Sequence, residues 1–255
     1  MLRKIKNKLF PKTLSENQTT IAVLEKTGNQ IYTGPFAGLV IPDVVRPFMK
    51  LAELLGLYES VLHSVFSELI NENINDIMII GGHKGYYPAG LSNLLRPQNM
   101  YVFEMDEKFH PMINSWIEAN NLSPYHSFGE ATENLLKDWE SKIDFLLIDC
   151  EGAEDFLLQP NKFAWQKETS ILVEIHHFYN NKILGNLASR FKNTHHLTII
   201  YDDIYEDEKI KNVLIGLGIR GTYRGHPVHR WIFDERRNKI ITSGIFMFMS
   251  PKNKI

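Results

Sequence analysis

Two apolar runs end in acids and histidines, and residue types of this kind, brought together, would move protons. Ile143-Asp144-Phe145-Leu146-Leu147-Ile148-Asp149-Cys150-Glu151-Gly152-Ala153-Glu154 reads as a buried strand closing in three carboxylates. Ile171-Leu172-Val173-Glu174-Ile175-His176-His177 delivers two imidazoles to the same edge. A histidine is suited to take a proton from a hydroxyl or amine near neutral pH. His176 is therefore the candidate base, Glu151 the residue that positions an acceptor, and His177 a substrate contact. A plainer reading makes Asp149 an N-cap, with Glu151 and Glu154 favoured by a helix dipole and the histidines structural. Both readings hold together for Asp149 and Glu151, because the carboxyl ends of parallel strands face a ligand crevice. Asp149, Glu174 and His176 have the types to surround a divalent metal, but their spacing is not compact and no metal is expected.

A second constellation lies upstream. Asp76-Ile77-Met78-Ile79-Ile80-Gly81-Gly82-His83-Lys84-Gly85-Tyr86-Tyr87 is an apolar run that breaks into a glycine turn before a helix-like stretch. Tyr101-Val102-Phe103-Glu104 is a second apolar run that ends in an acid. A strand, a tight turn, a helix and a second strand with a terminal carboxylate form half of a nucleotide-binding α/β fold. An NAD-type Gly-x-Gly-x-x-Gly ending at Gly85 needs glycine where Ile80 stands. A P-loop needs Lys-Ser/Thr where Tyr86-Tyr87 stands. Neither phosphate cradle fits. S-adenosylmethionine has no phosphate and needs close backbone approach instead, which makes Gly81, Gly82 and Gly85 cofactor candidates. Glu104 follows at the distance of a ribose-binding acid and would repel a 2′-phosphate. The plainer alternatives are an ordinary strand-to-helix turn and a surface acid. Later, Arg220-Gly221-Thr222-Tyr223-Arg224-Gly225-His226-Pro227-Val228-His229-Arg230-Trp231 is basic and aromatic. Arg224, Arg230 and Trp231 would clamp an anionic or sugar-like substrate, unless this is a solvated loop.

The elements that must position these residues follow from periodicity. Strands are expected near 76–80, 100–104, 125–128, 143–149, 170–175, 196–201 and 244–250, and helices near 86–95, 107–120, 130–139, 152–158 and 181–192. Leu51, Leu54, Leu55, Val61, Leu62, Val65, Phe66 and Leu69 recur at helical spacing, with Gly56 breaking two helices. Alternating strands and helices imply an α/β fold, Rossmann-like, with a seven-stranded, mostly parallel sheet and an antiparallel last strand. Residues 1–45 read as a β-rich extension, with a hairpin of Thr20–Leu24 and Gln30–Tyr32 around Thr27-Gly28-Asn29. Residues 46–255 form the main domain, with a long insertion at about 203–243.

The 255 residues are 44% hydrophobic, enough for a full core, and carry a formal charge of -2. That balance does not call for nucleic acid or an anionic membrane. The lone Cys150 excludes an internal disulfide framework and fits a cytoplasmic location. No run approaches the ~18 apolar residues of a membrane span, and the basic N-terminus lacks the apolar core of a secretory signal.

Taken together, Ile79-Ile80-Gly81-Gly82-His83-Lys84-Gly85-Tyr86-Tyr87, Phe103-Glu104-Met105-Asp106, the Asp149-Cys150-Glu151-Gly152-Ala153-Glu154 element and Leu172-Val173-Glu174-Ile175-His176 resemble FkbM-type methyltransferases. The Asp-x-Glu-Gly-x-Glu element is the most specific part, and the resemblance covers roughly residues 34–178. It implies S-adenosylmethionine as cofactor and methyl transfer to a small molecule or glycan. It also implies that Gly81, Gly82 and Gly85 border the methionine moiety, that Glu104 holds the ribose, and that Gly129 and Glu130 lie near adenine. Tyr58 and Glu59 would close over the same pocket. The family's acid two residues before the first glycine is Ile79 here, so the methionine ammonium must find Asp149 or Glu59. The alternative is a non-catalytic S-adenosylmethionine- or nucleoside-binding module of the same fold.

Overall fold

Alternation along the strands decides the layering. In β1 (Asp76–Ile80), Ile77 and Ile79 join one apolar cluster while Met78 and Ile80 join another. Successive side chains of a strand point to opposite faces, so this segregation requires a sheet covered on both sides. The computed structural model describes residues 13–177, 179–203, 205–223, 231–234, 239–242 and 244–253, and it contains that sheet.

Parallel pairing joins β1 to β2 (Asn99–Phe103), and β2 to β3 (His126–Phe128). On its other side β1 pairs in parallel with β4 (Phe145–Ile148), which pairs with β5 (Ser170–Glu174). After β6 (His195–Tyr201), a separate antiparallel ladder forms from β7 (Trp231–Asp234) and β8 (Lys239–Thr242). The last strand, β9 (Ile245–Pro251), runs antiparallel between β5 and β6, giving the seven-strand order β3-β2-β1-β4-β5-β9-β6. The expected seven-stranded α/β sheet with an antiparallel last strand is therefore present. Strand order reverses between β1 and β4, and such a switch opens a crevice at the carboxyl ends.

The first face is covered by α1 (Glu16–Thr27), α2 (Leu51–Leu55), α3 (His63–Ile70), α4 (Tyr86–Leu95) and α5 (His110–Ala119). The opposite face carries α6 (Glu133–Lys137), α7 (Glu154–Leu157) and α8 (Ile183–Phe191). Gly56 ends α2 in the left-handed conformation, the expected break between two helices. Within residues 203–243, α9 (Glu206–Gly216) returns Ile210 and Leu214 to the first-face core. Among the described residues no helix is long and apolar enough to cross a membrane.

The N-terminal hairpin is corrected. Thr20–Leu24 lies inside α1, and Gln30 makes only an isolated bridge to Val40. Ser15 and Gln18 form a reciprocal capping box, and Gly28 closes the helix in the left-handed conformation. The glycine signal at Thr27-Gly28-Asn29 is thus a helix C-cap, which shares its residue preference with a hairpin turn. Ser15→Ala should cost about 1 kcal/mol, measured by urea unfolding, whereas a neutral effect would argue against the cap.

Candidate functional site

A cavity of about 350 Å³ opens at the carboxyl ends of β1, β2 and β4. Gly81 forms its floor where β1 stops. Its φ is +96°, and a Cβ there would stand 1.7 Å from the Asp149 carbonyl oxygen. Only glycine permits that backbone approach. The amides of Gly81 and Gly82 both donate to the Phe103 carbonyl, at 2.9 and 3.0 Å. They are therefore committed to the protein and do not form a phosphate nest. Gly82 and Gly85 lie beside the cavity wall and serve packing. A Cβ on Gly82 would sit 2.6 Å from Val102 Cγ1, and one on Gly85 2.8 Å from Trp116 Cδ1.

Glu104 follows the last residue of β2 and is only 7% exposed, yet it lines the cavity. Its Oε2 accepts the His83 amide at 2.6 Å and its Oε1 the Asp106 amide at 2.8 Å. Each carboxylate oxygen has a second lone pair, so the group is a rigid acceptor for two further donors. Gly129, Glu130 and Ala131 form a neighbouring wall, with Phe103, Phe109 and Leu157 supplying apolar surface.

His83 also lines this space, a residue that its type alone did not mark. It adopts φ 42°, and its ring meets Phe109 edge-on at 4.3 Å. Burial, with the charges of Lys84 and Lys50, lowers its pKa to about 4, so it is a neutral wall near neutral pH. Burial, reinforced by Glu154 and Asp149, pushes the Cys150 thiol well above its usual range and disfavours a thiolate nucleophile there.

Asp149 belongs to this cavity and to an acidic cluster beside it. His176, 3% exposed, points Nε2 at Glu151 Oε2 (3.4 Å), Asp149 Oδ1 (3.6 Å) and Glu174 Oε2 (3.9 Å). Its Nδ1 is bound to Glu154 Oε1 at 2.5 Å, and the same oxygen accepts the Gly152 amide. Burial disfavours the imidazolium, but the Glu154 hydrogen bond and the charges of Glu154, Asp149 and Glu151 outweigh it and raise the His176 pKa. The sequence marked Glu154 only as a helix-favoured acid; the fold makes it the partner that orients His176. One donor atom each from Asp149, Glu151 and His176 lies within 4.8 Å of the others, a compactness that linear spacing does not reveal.

Glu59 approaches Asp149 from another side. It is buried at φ 47°, accepts the Tyr87 hydroxyl, and shares a narrow pocket with Asp149 and Glu174. Burial first, then the charge of Asp149, raises its pKa to about 8, against the opposing Tyr87 hydrogen bond. Glu59 thus backs the cavity instead of covering it. Tyr58 faces a separate groove with Lys50, Glu206 and Tyr223. Behind the glycine turn, Lys84 and Glu53 form a buried ion pair at 2.8 Å, which sequence inspection did not suggest.

The fold therefore brings together Gly81, Glu104, Gly129, Glu130, Asp149 and Glu151 around the cavity, with His176 adjoining. His177 is half-buried on the turn after β5 and does not line the cavity. Arg224 and Arg230 lie outside the described residues, and Trp231 opens β7.

No protein-family model and no curated protein matches the chain. Among solved structures, it is similar to an rRNA methylase from Streptococcus thermophilus, at 10% identity and TM-score 0.46, covering 74% of this chain and 95% of that one. It is also similar to an O-methyltransferase from Bacillus cereus in complex with SAH, at 14% identity and TM-score 0.43, covering 97% and 96%. A third is the O-methyltransferase TomG from Streptomyces achromogenes in complex with SAM, at 12% identity and TM-score 0.43, covering 76% and 79%. Similarity at this level assigns neither an activity nor a substrate.

Proposed function

We propose that this chain transfers a methyl group from S-adenosylmethionine to an oxygen of a small molecule or glycan, as FkbM-type enzymes do. The observation that carries this reading is Glu104, a buried carboxylate held by two backbone amides and turned toward a cavity at the switch point. Two adjacent ribose hydroxyls suit its remaining lone pairs. The occupied amides of Gly81 and Gly82 favour a cofactor without phosphate over a dinucleotide. Adenine would lie toward Gly129 and Glu130, and the methionine tail toward Gly81 and Asp149. Ile79 is fully buried in the first-face core, so the ammonium falls to Asp149 or Glu59.

The sulfonium is already an activated electrophile. The protein's tasks are to hold donor and acceptor in line, exclude water and take up the acceptor's negative charge or proton. The cluster of Asp149, Glu151 and His176 adjoins the methionine end, and its role is to promote loss of the proton from an acceptor hydroxyl. A non-catalytic binding module would bind the cofactor equally well, so product formation with a panel of acceptors separates the two.

Calorimetry with S-adenosylmethionine, S-adenosylhomocysteine and NAD tests the reading. The first two should bind and NAD should not; the reverse order would overturn it. Glu104→Ala should weaken S-adenosylmethionine by ~1–3 kcal/mol, the effect of leaving hydroxyls unpaired. An unchanged dissociation constant would remove Glu104 from the ribose site.

A further inference from the structure

We propose that Asp149, Glu151 and His176 form a binding site for a hard divalent cation of the Mg²⁺ or Mn²⁺ type. Sequence spacing gives no sign of it, because the three donors come from the end of β4, the following turn and the end of β5. The fold gathers their donor atoms within 4.8 Å.

Distances around Nε2 fit ligands that share one ion. His176 Nε2 stands 3.4 Å from Glu151 and 3.6 Å from Asp149, beyond the ordinary hydrogen-bond range of about 2.7–3.2 Å. Ligand atoms that share one cation at ~2.1 Å are themselves about 3.0–3.5 Å apart in octahedral or tetrahedral arrangements. The observed 3.4 and 3.6 Å lie somewhat above the octahedral edge, so a small contraction of the three ligands would close them on an ion.

The far side of the imidazole supplies an independent observation. A metal-bound histidine commonly gives its other ring N–H to a carboxylate, which fixes the tautomer and aims the lone pair at the metal. His176 has this partner in Glu154, which is completely buried. The Cys150 thiol also hydrogen-bonds to Glu154, so the carboxylate behind the ring is fixed in place. Glu151 is 74% exposed and leaves an entry path, while Asp149 also lines the cavity and turns the ion's open positions toward it. Two carboxylates and one imidazole suit an oxygen-preferring ion more than a thiophilic one.

The inference rests on the methyl-transfer reading only for the cation's task. An acceptor hydroxyl bound to it would become more acidic and release its proton to solvent. The oxygen lone pair then forms the C–O bond as the C–S bond breaks, and that electron pair returns to sulfur, leaving a thioether. His176 would hold the ion, and the ion would acidify the hydroxyl.

The experiment is titration of the full chain with Mn²⁺ alone, followed by electron paramagnetic resonance of free Mn²⁺, with neither cofactor nor acceptor present. About one saturable equivalent should bind and be displaced by excess Mg²⁺. Glu151→Ala, at an exposed position compatible with folding, should weaken it at least about tenfold. Glu154→Gln should weaken it roughly 10–100-fold through His176, whereas Glu206→Gln in the separate groove should not. No saturable Mn²⁺, or one equivalent unchanged in Glu151→Ala, overturns the inference. Saturable Mn²⁺ without methyl product supports the site and sinks the methyl-transfer reading. Turnover that resists a chelator, in a protein that binds no Mn²⁺, does the opposite.

Discussion

Glu59→Gln should stabilise the cofactor-free protein at about pH 8 by several kcal/mol and weaken S-adenosylmethionine binding at least tenfold. Burial and the charge of Asp149 raise the Glu59 pKa from 4.5 to about 8 in the folded chain. An unfolded chain has the ordinary value and releases the proton as pH passes 4.5. Between these two pH values the folded state holds more protons, so stability falls as pH rises, and the full penalty is present above about 8. Its size is on the order of 5 kcal/mol, because each pKa unit corresponds to about 1.4 kcal/mol. Glutamine never ionises and still offers Tyr87 an acceptor, so the variant's stability should be flat over that window. Under the methyl-transfer proposal, a bound ammonium would convert this acid to a favourable carboxylate. Urea unfolding of both proteins at about pH 5 and pH 8 reads the first effect, and calorimetry the second. Parallel stability profiles would show that Glu59 carries no such penalty. Unchanged affinity would leave the ammonium to Asp149.

His176→Gln should lower turnover by roughly 10²–10⁴-fold, the range for loss of a group that promotes proton removal. Cofactor affinity should remain near wild type, because His176 adjoins the cavity without lining it. Glutamine is the informative replacement since its amide can still donate to Glu154. Alanine would leave a completely buried carboxylate without its partner and cost about 3–5 kcal/mol of stability. Single-turnover kinetics beside cofactor titration separates the steps. If activity and affinity fall together, His176 is a structural residue.

Most of the sheet was legible because buried parallel strands leave an unambiguous signature. Ile77 to Ile80, Phe145 to Ile148 and Ile171 to Val173 are continuous apolar runs that stop at glycine or acid, and each became a strand. Glu104 was legible for the same reason, since an acid directly after such a run must stand at the carboxyl rim. The N-terminal segment misleads because Thr20 to Leu24 is rich in β-branched residues, while its helical state is decided by the end signals at Ser15, Gln18 and Gly28. Residues 206–216 fall in the long insertion, where the sequence signals no helix. There only Ile210 and Leu214 are buried, and polar residues mask the helical period.

The site was half legible. Residue types and strand ends revealed Asp149, Glu151 and His176, but not that Glu154 grips His176 Nδ1 or that Glu59 and His83 adopt left-handed backbone. Those features depend on turns between elements, where a single residue's neighbours in space are remote in sequence. Ion pairing of Lys84 with Glu53 is hidden for the same reason. Strained non-glycine backbone is tolerated where surrounding packing fixes it and is frequent at functional sites, which fits Glu59, His83 and Glu151 around this cavity.

The most direct test is a crystal structure of the full chain with S-adenosylhomocysteine. The ribose hydroxyls should lie within hydrogen-bond distance of the two Glu104 oxygens, with adenine toward Gly129 and the amino-acid tail beside Gly81 and Asp149. A cavity left empty at saturating ligand, or a ligand seated elsewhere with Glu104 untouched, would contradict the account.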